Sequence, residues 1–130
     1  MTDSFEISTM LMAPAHRVYE AWLSSDEHAA MTGGAAQIDR TVGGKFSAWD
    51  GYITGTTLEL EPSRRIVQSW RTVEFPTGAP DSRLEIVLDD TADGTRLTLK
   101  HSDIPAGQGS TYESGWVDNY FEPMKDYFSE

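Results

Sequence analysis

Near neutral pH, the side chains of this 130-residue sequence best suited to proton or metal chemistry are its three histidines, His16, His28 and His101. No cysteine is present, which excludes disulfides, thiolate metal sites and a cysteine nucleophile. His16 and Glu20 are spaced as two metal ligands on one turn of helix. They fall on the polar side of their predicted helix, away from Trp22, so solvated charge is the expected role. His101 shares strand parity with Leu97 and Leu99 and should point inward. There it is either a satisfied core histidine or a neutral imidazole that orients a polar group of a ligand. Asp89, Asp90 and Asp93 before Gly94 resemble a calcium loop, but counting from Asp89 the twelfth position is Lys100, where a bidentate Glu is required. They read as a hairpin turn. Gly43-Gly44-Lys45 lacks the spaced first glycine and the following helix of a phosphate loop. Carboxylates such as Glu59 and Glu61 carry no sequence signal of burial. No nucleophile and base come together, so the sequence leans away from an enzyme and assigns no catalytic residue, metal or cofactor.

Binding is a stronger signal. Trp49, Trp70, Trp116 and Tyr120 sit on elements expected to face the interior, and with His101 they form the candidate lining of an apolar cavity. The same aromatics would serve equally as plain core. Arg71 falls on the opposite strand face from Trp70 and would need a bulge to join them.

The element that must position these groups is the C-terminal stretch Gly109 to Phe128. At about 100° per residue, Tyr112, Trp116, Val117, Tyr120, Phe121, Met124, Tyr127 and Phe128 share half of a helix surface. Asp118, Glu122, Lys125, Asp126 and Ser129 take the other half. So broad an apolar arc suits a helix lying in a curved sheet. Ser110 and Glu113 have the spacing of a capping box, with Ser110 as N-cap. Pro123 removes the hydrogen bond to the Asn119 carbonyl and should bend the helix.

Upstream, Phe5 to Met12 alternates as a strand with Phe5, Ile7, Thr9 and Leu11 on one face. Pro14 opens a helix to about Leu23, and the Ser24–Glu27 capping box starts a short second one that Gly33-Gly34 ends. From Ala35 the period becomes two. Five strands follow, Lys45–Trp49, Tyr52–Leu60, Arg65–Glu74, Arg83–Asp89 and Thr95–Ser102, with Gln37–Thr41 as an optional sixth. Asp50-Gly51 predicts a two-residue hairpin. The Pro- and Gly-rich Phe75–Ser82 predicts a mobile rim loop.

A chain of this length fits one domain, spanning residues 1–130. The net charge of −11, from 21 acidic and 10 basic residues, argues against nucleic acid or an anionic membrane as partner. No apolar run approaches the roughly 20 residues that span a bilayer, and Met1 to Phe5 has no signal-peptide character. Cytoplasmic location without membrane insertion is expected.

The order of elements resembles the START-like (SRPBCC, helix-grip) superfamily, in the branch related to the C-terminal domain of the activator of Hsp90 ATPase. The residues that carry the likeness are Ala13-Pro14 leading into Val18 and Trp22, then Val42-Gly43-Gly44-Lys45-Phe46, Gly55, and Leu60-Glu61-Pro62. Arg65 to Arg71 follow, then Leu97-Thr98-Leu99 with His101 and Pro105, and Gly115-Trp116 with Tyr120 to Lys125. One departure lies in the second helix, where relatives often carry a Trp and this chain has His28-Ala29-Ala30-Met31. The resemblance implies an α+β helix-grip fold: a curved antiparallel sheet wrapped around a long C-terminal helix, with two short helices after the first strand. It also implies a cavity between sheet and helix that in many relatives takes a small apolar or amphipathic molecule, lipids included. Fold alone does not decide function. The leading expectation is a small-ligand binding module. The alternative is a co-chaperone-like domain acting on an Hsp90-type chaperone, and an enzyme using the cavity ranks below both. Fuller members of the branch carry an additional N-terminal chaperone-binding domain, whereas the first predicted strand here begins at Phe5.

Overall fold

The computed structural model describes residues 2–129. Seven strands form one antiparallel sheet: β1 (Thr2–Leu11), β2 (Gln37–Ile38), β3 (Lys45–Ala48), β4 (Ile53–Glu61), β5 (Arg65–Thr72), β6 (Ser82–Thr91) and β7 (Gly94–Pro105). Their order across the sheet is β1-β7-β6-β5-β4-β3-β2. Register shifts between Asp3 and Phe5 in β1, and between Thr57 and Glu59 in β4, supply the local bends of a curved sheet. Between β1 and β2 lie α1 (Ala15–Leu23) and α2 (Ser25–Thr32). The optional strand is thus real but shorter than expected: the Asp39 N–H still donates to the Lys45 carbonyl at 3.1 Å, and beyond it the chain enters the turn that Gly43 and Gly44 bond back to Thr57 and Thr41. Among the described residues no helix is long and apolar enough to cross a membrane.

Alternation along β5, β6 and β7 places Ile66, Trp70, Leu84, Ile86, Leu88, Leu97 and Leu99 on the concave face, all buried. Onto that face packs the C-terminal helix, through Tyr112, Trp116, Tyr120, Phe121 and Met124. It is built as α3 (Gly109–Trp116), a π-helical turn (Val117–Phe121) and α4 (Glu122–Tyr127). Pro123 has no N–H for the Asn119 carbonyl, and the Glu122 N–H reaches back five residues to the Val117 carbonyl. The π turn therefore takes up the missing bond as a wide turn and brings Tyr120 and Phe121 both into the core.

Three local expectations are corrected. The Ser110–Glu113 capping box does not form: the helix starts at Gly109, its N-cap position is Gln108, and both Ser110 and Glu113 are exposed. Asp3 of β1 takes that role, its Oδ2 accepting from the Gly107 and Gly109 N–H groups at 2.9 Å each. A carboxylate at a helix start is a stronger acceptor than a hydroxyl, and pairing with Ile104 holds Asp3 in place. Only glycine allows this approach, since a Cβ on Gly109 would lie 2.7 Å from the Asp3 Cβ.

The β3–β4 connection is likewise longer than two residues. The ladder ends at the Ala48–Ile53 pair, and Trp49, Asp50 and Gly51 all have positive φ, at 53°, 57° and 90°. The Asp50 N–H is drawn out of the hairpin to the Ala35 carbonyl at 3.1 Å. Trp49 thus leaves β3 in a left-handed conformation that costs an aromatic residue energy. Phe75, expected in a rim loop, is buried, with its ring centroid 6.2 Å from Trp70 and 6.0 Å from Tyr112. The second helix is as expected: Ser24 Oγ accepts from the Glu27 N–H at 3.2 Å, and Gly33 closes it at φ 88°.

Candidate functional site

Between the C-terminal helix and the β3–β5 side of the sheet lies a recess of about 350 Å³. Trp49 and Tyr52 from the β3–β4 turn, Ile53 from β4, Trp70 from β5, and Tyr112, Gly115, Trp116, Asn119 and Tyr120 from the helix line it. The helical residues reach one wall because they recur every third or fourth position, and Gly115 contributes no side chain to block it. The rings brace one another: Trp70 stands 5.0 Å from Tyr112 and 5.6 Å from Trp116, and Trp116 stands 4.6 Å from Tyr120. Trp49 closes the far side, 6.4 Å from Tyr120. Gly34 makes room for Trp49, since a Cβ there would meet the Trp49 Cε3 at 2.7 Å.

A layer of buried polar pairs fixes these walls from behind. His101 accepts from the Trp116 Nε1–H at its Nδ1 (3.1 Å). Ser82 Oγ donates to the Trp70 carbonyl (2.6 Å), so it accepts from the Nε2–H of His101 (2.8 Å), which makes His101 neutral. Burial pushes its pKa down to about 3. His28 bonds the Trp22 carbonyl through Nδ1 (2.9 Å), leaving Nε2 to accept from the Tyr120 hydroxyl (2.9 Å). Burial lowers the pKa of His28, with the Trp22 carbonyl opposing it, and raises that of the Tyr120 phenol. Neither imidazole has a free lone pair for a substrate proton. Tyr112 donates to Gln108 Oε1 (2.7 Å) and accepts from the Thr72 hydroxyl (2.6 Å).

Of the five residues expected to line a cavity, Trp49, Trp70, Trp116 and Tyr120 meet at the recess. His101 does not: it lies one layer deeper, its ring 4.6 Å from Trp70, as a satisfied core histidine. Arg71 points away, to the Ala79 carbonyl and Asp81. Glu20 is paired with Arg40 at 2.7 Å, and Glu59 and Glu61 with Arg65 at 2.7 and 3.1 Å.

The sequence profile described as "Activator of Hsp90 ATPase homolog 1-like protein" matches residues 12–129. The chain belongs to this family. It is 29% identical over 120 residues to the activator of 90 kDa heat shock protein ATPase homolog 1 of Homo sapiens, covering 92% of this chain and 35% of the human protein. An uncharacterized protein of Schizosaccharomyces pombe is 30% identical over 116 residues, covering 89% of this chain and 34% of that one. The chain thus spans about a third of the length of these curated relatives. The crystal structure of an HSP90 activator from Plasmodium falciparum superposes with a TM-score of 0.87 at 25% identity, covering 97% of this chain and 96% of that one. The α+β helix-grip fold of this activator-like domain is the one expected from its sequence.

Within that fold, sequence reasoning missed Tyr52, Ile53, Tyr112, Gly115 and Asn119 as lining residues. Tyr112 and Asn119 were legible only as helix positions, and the π turn decides what Asn119 faces. His28 of the second helix is buried with its ring 5.4 Å from Tyr120 and 5.1 Å from Trp22. It makes aromatic contacts with both and adds a hydrogen bond to the wall.

Proposed function

We propose that the chain, acting as a single domain, is a small-molecule binding module whose site is the aromatic recess, with Trp49, Trp70, Trp116 and Tyr120 as the contact residues and His101 holding Trp116 from behind. The observation that carries this reading is that a layer of rings so closely braced still leaves about 350 Å³ unfilled beside it. Rigid, mostly apolar walls with an amide and phenols at the rim suit an apolar or amphipathic ligand. The strained backbone of Trp49 supports the same reading, because left-handed aromatic residues persist where a site holds them. Native mass spectrometry of the purified protein, with an amide-shift screen of lipids, sterols and aromatic polyketides, tests it. The expected result is a retained or added small mass, with residues around Trp70 and Trp116 shifting together. Joint silence of both measurements across a diverse panel overturns it.

A second reading rests on the relatives' names. Chaperone contact by this acidic domain would depend on a basic partner surface and weaken as salt screens it. Stimulation of an Hsp90-type ATPase by the isolated chain at low salt, lost near physiological ionic strength, supports it. Absence of binding by calorimetry at low salt removes it.

A further inference from the structure

Beside the recess, and sharing Tyr52 and Tyr112 with it, lies an annex of about 230 Å³ also bounded by Glu74, Gln108 and Thr111. Across recess and annex the lining carries a single charge, the Glu74 carboxylate, and no Lys, Arg or His. The backbone of Glu74 is anchored: its N–H donates to Thr72 Oγ1 at 3.1 Å and its carbonyl accepts from Gln108 Nε2 at 3.0 Å. Among the described residues its carboxylate has no ion-pair partner. Arg71, three residues before it, is occupied by Asp81 at 2.8 Å. The negative charge of Glu74 is felt at the recess, where it adds to the effect of burial in raising the Tyr112 phenol.

Charge selectivity follows from how these features add. Ring faces are the negative part of an aromatic quadrupole and attract cations. A carboxylate beside them has the same preference, and among the described lining residues no cation answers an anionic ligand. A net charge of −11 extends that bias to longer range.

We propose that the ligand of the recess is a cationic amphiphile, with an apolar or aryl body against Trp70 and Trp116 and a protonated amine in the annex beside Glu74. This rests on the recess being a binding site, and the test separates the two. Three matched probes, a naphthyl ring bearing an ethylammonium, an ethanol or an acetate tail, are titrated by calorimetry and amide shifts at low salt. The ammonium probe binds at least about tenfold tighter than the acetate, and added salt narrows the gap. Glu74→Gln, at an exposed position whose carboxylate bonds none of the described residues, leaves the melting temperature in place. It weakens the ammonium probe by about threefold to tenfold while the alcohol is unchanged. An acetate probe that binds as well as the ammonium overturns the proposal, as does a Glu74→Gln variant that weakens alcohol and amine alike. Binding of the alcohol without charge preference leaves the recess a site and removes only this inference. Silence of all three probes at Trp70 and Trp116 removes both.

Discussion

The two ends of the interior are closed differently. Towards the β6–β7 hairpin the space between sheet and helices is filled by aliphatic side chains: Leu11, Val18, Ile86, Leu97, Leu99 and Met124 are all at most 1% exposed. Towards the β3–β4 turn the same sheet and helix carry Trp49, Trp70, Tyr112, Trp116 and Tyr120, and a recess of about 350 Å³ is left. Branched aliphatic chains interlock to the density of a crystal. Flat, rigid rings tied in place by hydrogen bonds cannot collapse into the space beside them. The void behind the wall, next to Trp22 and His28, is only about 10 Å³, so the packing defect is confined to the open side. One helix thus serves as core at one end and as a wall at the other.

The largest effect expected is from removing that helix altogether. Truncation after Asp103 exposes the concave faces of both ends at once, and no cooperative thermal transition should remain by calorimetry. A sharp transition near that of the full chain would show that the sheet and the first two helices suffice. Next comes a contrast of ends. Leu97→Ala, at a position with 0% exposure, should cost about 2–5 kcal/mol in denaturant unfolding through lost burial and a cavity that cannot relax. Trp49→Ala, only partly buried, opens onto the recess rather than leaving an enclosed cavity and should cost visibly less. Equal costs would mean that the two ends are packed alike.

The sequence makes the filled end easier to read than the open one. The stripe Tyr112-Trp116-Tyr120-Met124 and the shared parity of Leu97, Leu99 and His101 follow from helix and strand periods, and they assign the core from the sequence alone. An empty volume has no residues of its own. It depends on the turn that sends Trp49 to φ 53°, on Gly34 giving way beneath it, and on the π turn that sets Asn119 at the rim. Each of these is a choice of backbone made in response to distant partners, such as the Ala35 carbonyl that draws off the Asp50 N–H. Parity put His101 correctly inside. It could not say that Trp116 and Ser82 would consume both ring nitrogens.

Acid should act on the aromatic end before the aliphatic one. His28 and His101 are held neutral by burial, with His101 at about 3 when folded against 6.5 for an ordinary imidazole. Below pH 6.5 the unfolded chain binds protons that the folded chain refuses. The contribution of His101 is therefore complete above pH 6.5 and is lost progressively as pH falls towards 3, and that of His28 is lost in the same direction. His101 adds a slope of up to about 1.4 kcal/mol per pH unit in that window. His101→Leu should flatten the slope in pH-dependent urea unfolding, although at pH 7 it costs about 1–3 kcal/mol by stranding the Trp116 Nε1–H. An unchanged slope would mean that His101 titrates normally when folded.

The smallest effect tests what pins the recess end of the helix to the sheet. Asp3 and Gly109 are distant in sequence, yet the Asp3 carboxylate accepts from two N–H groups at the start of α3, while the nearby Ser110 hydroxyl, better placed in sequence, caps nothing. Asp3→Ala should cost about 0.5–2 kcal/mol, the range for losing an N-cap, and Ser110→Ala should stay within about 0.5 kcal/mol. Because Tyr112 lies one turn beyond the cap, amide exchange in Asp3→Ala should quicken through the first turn of α3 while Phe121 and Met124 keep their protection. Faster exchange along the whole helix would mean that the two ends open together. If Ser110→Ala is the costlier substitution, the cap is the local box after all, and the link between β1 and the recess wall falls with it.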